Sequence, residues 1–183
     1  MRLWLSAIGS VVGALLAAEL HALEPPATRD WTQAMAGIRY GTHRLGLGPG
    51  LRGGYTLANG IYLGGALDYF LGERRSEVVG TARTRATGNL WLVAVEAGYD
   101  LGLTRHLLLR PWGGAGVGWT HGTTCQTTAE ASTCTTSTKS NAIFELGLLG
   151  EYAFGPCVVG PEVRWVYSSG SSLVFGVNAG WLF

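Results

Sequence analysis

From Ala36 to the final Phe183, apolar and polar residues alternate with a period of two. Ala36, Ile38 and Tyr40 alternate with Gly37, Arg39, Gly41 and His43. Leu51, Tyr55 and Leu57 alternate with Gly50, Arg52, Gly54 and Thr56. The pattern returns over 61–69, 91–100, 107–119, 144–152 and 159–167, and closes with L-V-F-G-V-N-A-G-W-L-F over 173–183. Neighbouring side chains on a strand point to opposite faces, so each stretch predicts a strand with one apolar and one mixed face. The count is about eight strands of roughly ten residues, the length a tilted membrane-spanning strand needs. Short breaks fall at Asn59-Gly60, a tight-turn dipeptide, at Thr104–Arg105 and at Gly155-Pro156. The other breaks lie near Leu45, at Gly72–Asn89, at His121–Asn141 and at Ser168–Ser171, and the two long ones are predicted loops.

The mixed face carries the strand charges: Arg39, Arg52, Asp68, Glu96, Arg110, Glu145, Glu151, Glu162 and Arg164. Against lipid, an Arg near the midplane costs about 2–4 kcal/mol. Inside a closed barrel, Arg and Glu can pair, and the many glycines on the same face leave room for them. The fold class expected is therefore all-β, an eight-stranded antiparallel up-and-down transmembrane β-barrel. A barrel of this size is filled by its own side chains, so a plugged interior of ion pairs is expected rather than an open pore. A soluble lipocalin-like barrel is the competing architecture, with an apolar inside and a polar outside. Tyr40, Tyr55, Tyr69, Tyr99, Trp119, Tyr152, Trp165, Tyr167 and Trp181 sit on the apolar face towards strand ends. Aromatic girdles at the two membrane interfaces take that form, which favours the membrane.

Composition agrees. The 183 residues include 29 glycines and only 14% charged residues, about twice and about half the usual shares of soluble domains. A net charge of +1 gives no basis for binding nucleic acid. Residues 1–22 carry a positive charge at Arg2, run through a short apolar stretch and end in small residues, which predicts a cleaved signal peptide. Residues 23–183 are then the barrel domain. The apolar run is short for a spanning helix, so a protein held in the membrane must cross it as strands.

The chain resembles the small eight-stranded outer-membrane barrels of Gram-negative bacteria, of the OmpA transmembrane-domain, OmpX and opacity-protein type. The residues carrying the resemblance are the terminal F-G-V-N-A-G-W-L-F, G-I-Y-L-G-G-A-L-D-Y-F and G-L-L-G-E-Y. The resemblance implies a bacterial outer-membrane location and contact with outer-membrane lipid and lipopolysaccharide. It also implies that Phe175, Val177, Ala179, Trp181 and Phe183 are an assembly signal read by the barrel assembly machinery. A monomer and no cofactor are expected.

Candidate chemistry is sparse. Cys125 and Cys134 lie in the Thr- and Ser-rich break. Export to an oxidising compartment makes them a loop disulfide, with two free thiols as the competing reading. Cys157 is left over as a free thiol that packs as a small apolar residue. Gly48 to Gly53 fits G-x-G-x-x-G but lies within a strand with no helix after it, the wrong context for a dinucleotide. His121 and the serines 168, 169, 171 and 172 raise a lipid A deacylase, yet no third group orients them. Arg74, Arg75, Arg83 and Arg85, with Glu73 and Glu77, form either a solvated loop or a contact for lipopolysaccharide phosphates. The role expected is structural or surface-exposed, in envelope integrity or in adhesion and recognition through the long loops, and not enzymatic. The alternative is a narrow channel or small-solute binder.

Overall fold

The computed structural model describes residues 30–43, 45–72, 75–79, 82–128 and 131–183. The expected signal peptide, with the lead-in up to residue 29, lies outside them. The described residues form ten strands: β1 (Trp31–Gly41), β2 (Gly46–Thr56), β3 (Ile61–Phe70), β4 (Arg75–Val79), β5 (Ala82–Tyr99), β6 (Leu101–Gly102), β7 (Leu107–Thr127), β8 (Ser132–Phe154), β9 (Cys157–Tyr167) and β10 (Ser171–Leu182). Eight of them form a closed antiparallel ring in the order β1-β2-β3-β5-β7-β8-β9-β10. The last strand returns to the first, from Gln33↔Leu182 to Gly41↔Val174. Thr32 and Phe183 add a reciprocal pair of backbone hydrogen bonds at 3.2 and 2.9 Å. Closure leaves no sheet edge in the ring, which is how a β-structure satisfies its backbone in lipid.

Local chemistry sets the hairpins. Gly60 adopts φ +87, a conformation that costs glycine nothing, at the β2–β3 turn. Asn59 Oδ1 there accepts the Ile61 amide at 3.2 Å. Gly155, at φ +62, serves the two-residue turn between β8 and β9.

The barrel is inside-out relative to a soluble domain. Among the described residues, thirteen polar or charged side chains are buried against twelve hydrophobic ones. The outer face carries the grease: Ile38 is 65% exposed, Val95 72% and Val177 59%. That arrangement is stable only where the surroundings are lipid, and it disposes of the lipocalin-like alternative. Tyr69 and Trp91, their ring centroids 4.6 Å apart, belong to an outward-facing belt with Tyr40, Trp119, Trp165 and Tyr167. Tyr55, Tyr99, Tyr152 and Trp181 form a second belt at the opposite end, all of them exposed.

The two long loops expected at Gly72–Asn89 and His121–Asn141 are instead largely strand. β7 and β8 are 21 and 23 residues long, about twice what a spanning strand needs. They stay paired from Leu107↔Tyr152 out to Thr127↔Ser132. β5 accompanies them as far as Arg83↔Thr127, and β4 lies along β5. The result is a four-stranded sheet raised off one end of the barrel. Threonine and serine carry it: β-branched Thr favours extended backbone, and antiparallel pairing satisfies the backbone that a loop would leave to water.

Candidate functional site

Two features could do chemistry or recognition: the lumen and the raised sheet. In the lumen, the pleat turns one residue in two inwards from every strand. Four arginines and six carboxylates are buried there among the described residues. Arg39 on β1 pairs with Asp68 on β3, and Arg164 on β9 reaches across the lumen to the same carboxylate. Arg164 also meets Glu145 at 3.2 Å. Arg52 on β2 joins Glu96 and Glu162, each at 2.9 Å. Its contact with Glu96 Oε2 runs through Nε, close enough for an ion pair but not aligned as a hydrogen bond; Nη2 makes that bond to Oε1 at 3.0 Å. Asn178 bridges the two signs: its Oδ1 accepts from Arg39 at 3.1 Å, and its Nδ2 donates to Glu162 at 2.8 Å.

A second cluster lies nearer the short-turn end. Arg110 grips Asp100 with two nitrogens and donates to Gln33 Oε1 at 2.7 Å, while Gln33 Nε2 donates to Glu151 at 2.7 Å. Thr56 donates to Asp100 at 2.8 Å. Between the clusters lies an apolar layer of Met35, Trp112 and Leu149. The Arg52 guanidinium sits 4.2 Å from the Trp112 ring, and that of Arg110 sits 3.9 Å from Tyr62. Such faces stabilise a cation without a charge of their own. Above the first cluster, Phe70, Leu92, Ala94, Ile143, Val166 and Val174 form an apolar cap, with Leu45 and Leu90 packed on it. β8 shows the stacking in one strand: Ile143 in the cap, Glu145, Leu149, then Glu151.

All nine charged residues singled out on the mixed face lie in this network. The sequence reading missed Gln33, Thr56 and Asp100 as members. Gln33 continues the parity of Arg39 before the start assigned to that strand, so extending the alternation would have found it; Thr56 and Asp100 already stood on the mixed face of their strands. Some interior glycines are spacers. A Cβ on Gly50 would strike the Arg39 guanidinium and the Asp68 carboxylate, and one on Gly37 would strike Asn178.

The raised sheet is the opposite of the lumen. Cys125 and Cys134 face each other across β7 and β8 in register and form a disulfide. His121 Nδ1 lies 2.9 Å from Thr138 Oγ1, Thr123 Oγ1 lies 3.2 Å from Thr136 Oγ1, and Thr127 Oγ1 lies 3.1 Å from Ser132 Oγ. β8 from Ser132 to Ala142 is exposed throughout. Its pairing with β9 begins only at Phe144↔Tyr167, so the stretch above has one edge free among the described residues.

His121 and the serines do not converge. His121 lies on the outward face with Tyr69, Arg85 and Asn89, whereas Ser168–Ser172 line the inside of the mouth with Leu90 and Leu92. Arg83 and Arg85 share the outward parity of Trp91, above the aromatic belt. Glu73 and Arg74 lie outside the described residues. Phe175, Val177, Ala179, Trp181 and Phe183 are exposed on the outer face of β10 and its end. Cys157 is a half-buried free thiol at the start of β9.

The ring matches solved structures in its fold. A major outer membrane protein from Thermus thermophilus superposes with a TM-score of 0.64 at 14% identity, over 85% of this chain and all (100%) of that one. Ail, the attachment invasion locus protein of Yersinia pestis, gives 0.50 at 15% identity over 86% of this chain and 100% of its own. The chain has the fold of the small eight-stranded outer-membrane β-barrels. At such identities the likeness to other outer-membrane barrels extends to the fold alone. No protein-family model matches the chain, and no curated protein does.

Proposed function

We propose that this protein is a monomeric integral protein of the bacterial outer membrane whose barrel is a sealed support and whose raised sheet recognises an extended polypeptide outside the cell. The observation that carries the reading is the free, fully exposed edge of β8 above residue 143. An unpaired strand edge presents a row of backbone N–H and C=O groups, the template for strand addition. Natural edges are blunted by charge and proline; this one carries a single Lys139 near its base and no proline. The disulfide ties this strand to β7. The attachment role in the name of Ail supports adhesion as the kind of function.

The rest of the account follows from that placement. Residues 1–22 direct export and are removed. Phe175, Val177, Ala179, Trp181 and Phe183 present the assembly machinery with alternate apolar side chains ending on an aromatic. Arg83 and Arg85, on the outward face of the raised part of β5, supply guanidinium groups of the kind that pair with lipopolysaccharide phosphate. The layered lumen argues against the channel reading, because ions would have to cross two tight apolar layers.

The test is to pan a displayed library of extended peptides against the protein in lipid nanodiscs. Thr135→Pro and Thr136→Pro point their lost N–H to opposite edges of β8, so one of them spoils only the free edge. The reading expects enriched peptides that lose binding to that variant while the gel mobility of the folded barrel is retained. Peptides enriched no better than on empty nanodiscs, or indifferent to both variants, contradict it.

A further inference from the structure

At the raised end, the mouth of the barrel holds a cavity of about 690 Å³, within the usual range of small-molecule sites. Its chemistry is stratified. Towards the raised end the inward positions turn from charged to apolar: Asp68 gives way to Phe70, Glu96 to Leu92, Glu145 to Ile143 and Arg164 to Val166. Leu45, Leu90, Leu92, Ile143 and Val166 make the floor. The rim is hydroxyl and amide, from Thr120, Asn141, Ser168 and Ser172, together with His43. Among the described residues lining the cavity, none is Asp, Glu, Lys or Arg.

The wall is uneven. β5, β7 and β8 rise above the mouth, while β9 stops at Tyr167 and β10 starts at Ser171. β8 loses β9 as a neighbour beyond Phe144, leaving a notch between Asn141 and the Ser168–Ser172 turn. A ligand has a way in from the side without disturbing the network below.

We propose that this mouth is a binding cup for a single-tailed, uncharged amphiphile, with its tail on the leucine and isoleucine floor and its hydroxyl head at the serine and asparagine rim. The apolar floor would hold a tail out of water. Among the described lining residues a charged head would find no carboxylate, lysine or arginine to pair with, and it would lose part of its hydration. A sugar alone would leave the floor wet and finds no Trp, Tyr or Phe among the described lining residues to stack on. The cup does not depend on peptide recognition by the β8 edge; neither result decides the other.

The test uses the full barrel in lipid nanodiscs, 1-monodecanoylglycerol as the probe, and methyl NMR. Leu90, Leu92 and Ile143 report the cup, while Val95 and Val177, which face lipid, report simple partitioning. The expected result is saturable shifts confined to the cup methyls. Gly118→Phe should weaken binding at least tenfold, because a Cβ at Gly118 points at Leu92 and Ile143, 2.9 and 3.3 Å away. Thr120→Trp, an exposed rim change, should do the same by narrowing the entrance, and it guards against a folding defect in the first variant. Decanoate should bind at least tenfold more weakly. Shifts that rise linearly in step with Val95 and Val177, or saturable shifts that survive both variants, overturn the cup. Equal binding of decanoate overturns the uncharged head.

Discussion

β5, β7 and β8 run through two environments without a break. Below Leu90 and Ile143, their inward side chains pack against an ionic network that reaches across the lumen. Above, the same strands hold hydroxyls in water on both faces. The lower half is fixed by side chains; the upper half is fixed by backbone pairing and one disulfide. Strand geometry is common to both, so the difference in chemistry shows what a membrane barrel needs and what a raised sheet can do without. A buried charge tolerates no missing partner. A solvated threonine has water in place of one.

Substitutions that exploit this contrast should separate the halves. The largest effect is expected from Arg164→Met, which leaves Asp68, Glu145 and Glu162 facing one cation fewer. Losing one member of a buried ionic group costs about 3–5 kcal/mol. Urea unfolding in lipid vesicles, followed by the heat-dependent gel shift of the folded barrel, measures it; a loss below about 1 kcal/mol, no more than a surface ion pair, would mean that the network does not hold the lumen together.

Next in size is the double change Cys125→Ser with Cys134→Ser. Opening of the sheet tip should become easier by about 2–3 kcal/mol, seen as faster amide exchange above residue 121, while urea unfolding of the barrel shifts by less than about 0.5 kcal/mol. A comparable shift in both readouts would show the halves to be one cooperative unit.

Gly50→Ala and Gly122→Ala make the same chemical change in the two regions. At Gly50 the new methyl enters the Arg39–Asp68 pair, and overpacking costs about 1–3 kcal/mol. At Gly122 the nearest atom is 3.8 Å away, and the change should stay within about 0.5 kcal/mol. Equal costs would remove the distinction between a packed and a solvated strand interior.

The same contrast decides what could be read from the residues alone. In the barrel, lipid outside and charge inside impose the period-two pattern, so Arg39, Glu96, Glu145 and Arg164 announce their face, and the strands, the ring and the fold class follow. In the raised sheet both faces meet water, the selection for alternation disappears, and Thr123 to Thr138 reads as loop. The strand tendency of threonine was the only remaining signal there. The convergence of Arg39 and Arg164 on one carboxylate was also hidden, because it joins strands on opposite sides of the ring, and no local pattern encodes which inward residues meet.

The lumen is closed by its own side chains, and the recognition proposed for this protein takes place at the raised end. Single-channel recording of the purified protein in planar bilayers tests that closure most directly. A lumen filled by Arg39, Asp68 and Arg164, and layered by Met35, Trp112 and Leu149 below and by Leu92 and Ile143 above, predicts a flat baseline with no reproducible unitary steps. Steady openings that recur at one conductance, and that change when Arg164 is replaced by Met, would show that ions pass through the network and would contradict the account.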